Sequence, residues 1–319
     1  MGSFIKIKKL LEERDSFLLI GHERPDGDCL GSLLALGEVL ESRGKKVVMA
    51  CHDAVPGAFS FLPETTKIKN DFLFGDFEVV ILLDNGDFKR TGFSDRIREF
   101  GTKRIPIVNI DHHPKNDLWR MATVNYVNEN ASSTAELLYE ILSGIGYELS
   151  PKVSTCLLAG IFYDTGGFHH SNTSAKVYEI VSELLKRGAK LRKISDNIGN
   201  THSIQMLKLW GIALERMHLN LEYKIAASVV LQSDLAITGA DEEEVSGLVN
   251  LINSVPEADV ALLLYEMADG RIKGSLRTEL DNIDVSKLAK ALGGGGHKKA
   301  SGFTVEGKIV RDGESWRVE

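Results

Sequence analysis

The sequence predicts an α/β chain. An N-terminal domain is built on a doubly wound, mainly parallel sheet, and a smaller C-terminal α/β domain follows. Three observations carry this reading. Near-continuous apolar runs of strand length recur in the first half, as in strands buried on both faces. Helical patterns lie between these runs, and parallel neighbours need such crossovers. A polar, weakly periodic stretch at 188–200 then interrupts the pattern.

Taken in order, "SFLLIGH" (16–22) is a buried strand and "GSLLALGEVLESRG" (31–44) a helix stopped by Gly44. Residues 45–51, 77–84 and 104–111 are further strands, each rich in Val, Ile or Leu. Ser133 and Glu136 have capping-box spacing for a helix to about residue 143. Ser150-Pro151 is a cap with proline at the first helical position. The helix ending at Lys186 stops at Gly188, and residues 203–217 form a connecting helix. The predicted division is 1–187, a linker with connecting helix at 188–218, and 219–319. In the last part "YKIAASVVL" is a strand, "EEEVSGLVNLINS" a helix and "ADVALLLYEM" a strand. Asp269-Gly270 then turns a hairpin into "RIKGSLRTE". "DVSKLAKALG" is a helix, and "GGGGHKKASGF" a loop before the last strands.

At 319 residues the chain is long enough for two ordinary domains. Its net charge of −7 argues against a large footprint on long duplex DNA, whose partners are usually basic. The three cysteines, Cys29, Cys51 and Cys156, are widely spaced and form no CxxC pair, which argues against a disulfide framework or thiolate zinc site. No apolar run approaches eighteen residues and no signal-peptide core is present, so no membrane span and a cytoplasmic location are expected.

Ionisable residues gather where the strand runs end. "GHERPDGDCLGS" places His22, Asp26 and Asp28 after the first strand, with Gly27 between the acids. Helix capping by Asp28 would explain only one of these acids. Asp84 ends a second apolar run, and "NIDHHPKND" ends a third with Asp111, His112 and His113. Asp164 follows the apolar helix "TCLLAGIFY". Ligands of open α/β sheets collect at the carboxyl ends of strands. Five aspartates on one rim cannot all stay ionised without cations, because like charges raise each other's pKa. Two divalent ions offset the charge, and a mixed His/carboxylate set without thiolate suits Mn²⁺.

These segments, taken together, resemble the DHH phosphoesterase family, which takes its name from Asp-His-His. The resemblance rests on His22-x₃-Asp26-x-Asp28, on Asp84 with Arg90 downstream, on Asp111-His112-His113, on Asp164-Thr165-Gly166, and on the glycine- and histidine-containing "GGGGHKKASGF" of the family's associated C-terminal domain. It covers essentially the whole chain. Cys29 and Gly167 are mild departures, where relatives often carry alanine and a larger residue. The resemblance implies an active site in the cleft between a metal-binding catalytic domain and a substrate-binding domain. It assigns His22, Asp26 and Asp84 to one Mn²⁺, and Asp28, Asp84, His112 and Asp164 to a second, with Mg²⁺ or Co²⁺ as substitutes. His113 would face the phosphate, Asp111 would orient a histidine, and Arg90, Arg277, Gly295, Gly296 and His297 would bind substrate. His169, His170 and His202 are read as surface residues. The implied activity is hydrolysis of short RNA or dinucleotides such as pApA, with 3′-phosphoadenosine 5′-phosphate (pAp) or cyclic di-AMP as alternatives. A homodimer and a non-enzymatic nucleotide-binding module are also compatible with the pattern.

Overall fold

The computed structural model describes residues 2–319 apart from positions 74, 76, 115, 116, 200, 201, 202, 246 and 314. It divides into two units, Met1–Thr201 and His202–Glu319. No helix among the described residues is long and apolar enough to cross a membrane.

The first unit runs α1 (Gly2–Glu13), β1 (Ser16–Ile20), α2 (Gly27–Ser42), β2 (Lys46–Ala50), β3 (Ile68–Lys69), β4 (Val79–Leu83), α3 (Ser94–Thr102), β5 (Ile107–Asp111), α4 (Leu118–Met121) and β6 (Val124–Val127). Helices α5 (Thr134–Ile145), α6 (Pro151–Asp164), α7 (Ala175–Lys186) and α8 (Leu191–Ile194) follow. The six strands are parallel and lie in the order β3-β2-β1-β4-β5-β6. The chain winds outward from β1 to β3 and returns to wind the other way from β4 to β6. The switch point therefore lies between β1 and β4, and the crevice beyond their carboxyl ends is where such sheets place ligands.

Strand periodicity explains why both faces are covered. Phe17, Leu19, Ile81, Leu83, Val108 and Ile110 point into one core with α2, α5, α6 and α7. Leu18, Ile20, Val80, Leu82 and Ile107 point into the other, where Phe72, Phe88, Phe93, Ile97 and Phe100 pack.

Helices α2 and α6 approach closely enough to need glycine on both. A Cβ at Gly31 would lie 2.4 Å from the Cys156 carbonyl oxygen and 3.0 Å from the Gly160 nitrogen. A Cβ at Gly160 would lie 2.7 Å from both Ala135 Cβ and Asp28 Oδ1. Gly160→Ala should therefore cost about 1–3 kcal/mol of stability by overpacking. It should also weaken cation binding by displacing Asp28. Urea unfolding and metal titration check both, and a variant indistinguishable from wild type would refute the close-packing account.

Several boundaries differ from the sequence reading. Helix α2 starts at Gly27, four residues earlier than expected, and its cap is Asp26, not Asp28. Asp26 Oδ1 accepts from the amides of Asp28 and Cys29 at 3.1 Å each. Half of the expected capping box forms, because Ser133 Oγ accepts from the Glu136 amide. The Glu136 carboxylate, however, takes the amide of Ser132. The stretch read as a linker is also divided. Ala189 and Ile194 are buried in the first unit's core, and the Lys190 amide donates to Thr155 Oγ1 at 3.2 Å.

The second unit contains α9 (Ile204–Glu215), β7 (His218–Asn220), β8 (Ile225–Val230), α10 (Gln232–Thr238), α11 (Leu248–Ile252), β9 (Val260–Glu266), β10 (Arg271–Arg277), α12 (Val285–Ala291), β11 (Gly295–Gly296), β12 (Ala300–Glu306), β13 (Ile309–Asp312) and β14 (Ser315–Val318). Its main sheet is mixed, in the order β11-β12-β10-β9-β8-β7. Helix α9 belongs to this unit's core through Leu209 and Ala213. The hairpin at Asp269-Gly270 forms, with Gly270 at φ +83° and the Met267 amide on the Arg271 carbonyl. The helix expected over "EEEVSGLVNLINS" is broken. A 3₁₀ turn spans Glu242–Val245, Gly247 sits at φ +90°, and only then does α11 begin.

Candidate active site

The sheet brings its acidic strand ends together at the switch point. His22 leaves β1 almost fully buried, at 1% exposure. Its Nδ1 lies 2.7 Å from the Glu23 carbonyl oxygen, which can only accept, so Nδ1 carries the proton. Nε2 is then the lone-pair nitrogen in the neutral ring. It is buried without a hydrogen-bond partner, 3.6 Å from Asp26 Oδ1 and 3.7 Å from Asp84 Oδ2. A carbonyl fixing the far nitrogen is the usual support of a metal-ligating histidine.

Asp84 occupies the centre. It follows β4 with φ +60°, a strained conformation for a non-glycine residue. Its Oδ2 faces His22, while its Oδ1 lies 3.6 Å from His112 Nε2 and accepts from Thr134 Oγ1 at 3.0 Å. The next side chain holds the bend. Buried Asn85 donates from Nδ2 to the carbonyls of Ile20 and Leu83 at 3.0 Å each, tying the ends of β1 and β4 together.

Asp28, in the first turn of α2, is fully buried and reaches the start of α5, where Oδ2 accepts from the Thr134 amide at 2.6 Å and Oδ1 from the Ala135 amide at 2.8 Å. Burial, then Asp84 and Asp164 nearby, pushes its carboxyl well above the ordinary value. Asp164 closes α6, with Oδ2 3.1 Å from His112 Nε2. Burial raises Asp164 to about 6, although His112 opposes the shift. Asp26 goes the other way. Burial pushes it up, but His22 and the helix amides more than offset this and leave it lowered.

Asp111 stands apart from these donors. Its Oδ1 accepts from the His113 amide at 3.0 Å and meets His113 Nδ1 at 2.8 Å, while Oδ2 accepts from the Gly86 amide at 2.8 Å. It is fully buried. Burial pushes its carboxyl up, yet the His113 ring and the two amides hold it below the ordinary range. It is hydrogen-bonded to His113 and to the turn after Asp84, and of the five aspartates expected on the rim it alone belongs to no donor group among the described residues.

Three groups have donor atoms within 4.8 Å of one another: His22, Asp26 and Asp84; Asp28, His112 and Asp164; and Asp84, His112 and His113. In the third, the His113 Nδ1 lying 3.5 Å from Asp84 Oδ1 also meets Asp111. The orphaned Nε2 of His22, the buried carboxylates and the absence of a thiolate from these groups fit divalent cations of the Mn²⁺ kind.

A pH dependence follows for Asp164. Its folded pKa of about 6 lies above the unfolded value of about 3.9, so folding binds its proton more tightly. Its contribution to stability is present at low pH and is lost as pH rises through about 6. A cation that takes the proton's place reverses this loss. The rise in melting temperature on adding Mn²⁺ should therefore be larger at pH 7.5 than at pH 5.5, as differential scanning fluorimetry would show. An equal or smaller rise at pH 7.5 would refute the coupling.

The remaining predicted residues lie in two places. A Cβ at Gly86 would meet Arg90 Nη1 at 2.7 Å and His113 Cδ2 at 3.5 Å, so the Arg90 guanidinium and the His113 ring flank one glycine. In the second unit, Arg277 Nε donates to Asn250 Oδ1 at 3.0 Å and Nη1 to the Leu276 carbonyl at 2.9 Å. No ion pair to a carboxylate is found for it among the described residues. Gly295 and Gly296 pair with Gly302 and Ser301 as an edge strand, so the stretch read as a loop is sheet. A Cβ at Gly294 would lie 2.1 Å from the Gly302 carbonyl oxygen, and Gly296 sits at φ +133°. The His297 amide donates to the Ala300 carbonyl, and Ala300 pairs with Arg277, which puts the tight turn and the guanidinium at neighbouring register positions.

His169 and His170 are exposed, with Nδ1 of each within hydrogen-bond reach of a carbonyl, those of Gly166 and of Asp164 at the end of α6. His202 lies outside the described residues. Sequence reasoning missed Thr134, whose amide and hydroxyl touch Asp28 and Asp84, and Asn85. The run Ser132-Ser133-Thr134 was the available signal, since a cap needs one hydroxyl.

The fold and donors define a class: a doubly wound α/β protein with a cation-competent switch point. Comparison with known proteins then supplies the family. Residues 16–161 match the DHH family, N-terminal domain, and residues 223–313 the DHHA1 domain. The chain belongs to the DHH phosphoesterase family and is a hydrolase. It is 27% identical over 318 residues to the bifunctional oligoribonuclease and PAP phosphatase NrnA of Mycoplasma genitalium, covering 96% of this chain and 94% of that one. It is 29% identical over 296 residues to the protein of the same name from Bacillus subtilis, covering 91% and 90%. An exopolyphosphatase-related protein from Bacteroides fragilis has the same fold, with a TM-score of 0.87, 27% identity, and coverage of 96% and 92%. Members of the family are generally metal-dependent, and the groups around Asp84 are the residues here that can hold metal.

Proposed function

We propose that this chain is a Mn²⁺-dependent phosphodiesterase that hydrolyses di- to oligonucleotides, such as pApA or nanoRNA, to mononucleotides. One observation carries it: Asp84 turns one carboxylate oxygen to His22 and the other to His112, so two donor groups share it. His22, Asp26 and Asp84 would hold one cation, and Asp28, Asp84, His112 and Asp164 the other. Bound there, the ions would supply Lewis acidity and a water that loses its proton near neutral pH.

The chain's own residues do the rest. The Glu23 carbonyl keeps Nε2 of His22 available as a donor. Thr134 and Asn85 hold Asp84 in place. Asp111 orients His113, which faces the phosphate together with Arg90. Arg277 and the Gly295–His297 turn contribute an anion contact, the guanidinium as a donor fork and the turn as backbone amides.

The relatives' names favour a second activity at the same site, removal of a phosphate from pAp. The test is an assay of pApA, pAp, cyclic di-AMP and a five-nucleotide RNA on chelator-treated protein, with Mn²⁺, Mg²⁺ or Co²⁺ restored singly. The reading expects Mn²⁺ to restore pApA cleavage to mononucleotides. Full activity after chelation refutes the metal requirement. Cleavage of pAp alone assigns a phosphatase in place of a phosphodiesterase.

A further inference from the structure

The aromatic residue beside the last metal-site acid has no part in the scheme above. Tyr163 is the penultimate residue of α6, directly before Asp164. Its side chain lies against Gly27, the residue between Asp26 and Asp28. A Cβ at Gly27 would lie 2.5 Å from Tyr163 Cβ, 2.6 Å from Cγ and 3.0 Å from Cδ2. Glycine is therefore required at 27 so that the tyrosine side chain can pack against the backbone between the two acids. Buried Phe59 meets the ring nearly edge-on, with centroids 5.6 Å apart and planes at 71°. The side chain is thus packed against Gly27 and Phe59, yet Tyr163 keeps 38% of its surface exposed. Its place directly before Asp164, against the backbone between Asp26 and Asp28, sets the side chain beside the donors of the same site.

A tyrosine serving only the core would bury its remaining surface. A braced ring with exposed surface, beside donors that hold a phosphodiester, is what a flanking nucleobase stacks on. We infer that Tyr163 is a nucleobase platform, a specificity-determining residue that holds the base of a nucleotide adjoining the scissile phosphate. This deepens the proposed function and rests on it. Stacking tolerates any base, because each has a π-face, so the platform favours nucleotide over non-nucleotide phosphodiesters without selecting a sequence. It acts on substrate affinity and leaves the donors of the metal site untouched.

The experiment compares wild type, Tyr163→Leu and Tyr163→Phe on pApA and on the two pApA analogues that each lack one base, with Mn²⁺ saturating. Tyr163→Leu should raise KM for pApA by about ten- to hundred-fold, with a much smaller change in kcat. Tyr163→Phe, which keeps the ring, should recover most of that loss. On the analogue lacking the stacked base, wild type should already show the raised KM, and Tyr163→Leu should add little to it. Mn²⁺ content should match wild type in both variants. Equal losses in Tyr163→Leu on pApA and on both analogues, a Tyr163→Phe variant as impaired as Tyr163→Leu, or lost Mn²⁺ would each overturn the platform. A wild-type protein that leaves pApA intact with Mn²⁺ would instead refute the phosphodiesterase reading itself.

Discussion

Asp84→Asn should lower kcat/KM on pApA by on the order of 10³-fold or more, the largest single effect expected at the site. The amide removes the negative charge from both donor groups at once. It also presents an NH₂ where one carboxylate oxygen now faces a lone-pair nitrogen or accepts from Thr134 Oγ1. Both cations should bind more weakly, which isothermal titration would show as a loss at two sites. Asp164→Asn touches one group and should cost less. The fold should survive Asp84→Asn, because the variant removes one charge from a buried cluster of like charges that the empty site cannot neutralise. Unfolding of the metal-free protein should therefore occur at or above the wild-type midpoint. Turnover within tenfold of wild type at saturating Mn²⁺ would rule out Asp84 as a shared ligand.

The parts of this site that the sequence displays are those set by local pattern. Strands β1, β4 and β5 are legible because buried parallel strands are apolar on both faces. Each ends in, or within two residues of, an ionisable side chain, so His22, Asp84 and Asp111 could be placed at strand ends without coordinates. Asp26 and Asp28 were harder to tell apart. Either acid suits a helix start, and only the extended backbone of Asp26, at φ −109°, decides that it caps while Asp28 turns into the core. The supporting contacts depend on partners remote in the chain. Thr134 reaches Asp84 across 50 positions, and Asn85 reaches the Ile20 carbonyl across 65. Gly31 and Gly160 make sense only as a pair, since the need for glycine at one arises from the backbone of the other helix. The short elements α4, β3 and β6 escaped for a different reason. They are too brief to establish a period, and the sheet and core around them fix their structure. In the second unit Gly247, at φ +90°, takes a left-handed turn that breaks a helix composition alone favours.

His113→Ala should lower kcat by about 10²–10⁴-fold, the range for losing a positioned proton-handling group, while both Mn²⁺ ions stay bound. The geometry separates His113 from its neighbour. His112 places Nε2 between Asp84 and Asp164, whereas His113 commits Nδ1 to Asp111, a carboxylate outside the donor groups around His22 and His112. Asp111→Asn should reproduce much of the loss, because an amide at the Asp111 position holds the ring less firmly in the required tautomer. It should add a modest cost of its own through the Gly86 amide, which Asp111 Oδ2 also anchors and which carries the turn from Asp84 toward Arg90. If Asp111 acts through His113, the double variant should be little worse than the poorer single one, because the two substitutions remove one arrangement. Metal content decides the rest. A His113→Ala protein that retains a single Mn²⁺ would move His113 into the ligand set beside Asp84. Fully additive losses in kcat would mean that Asp111 serves the Asp84 loop and that His113 works without it.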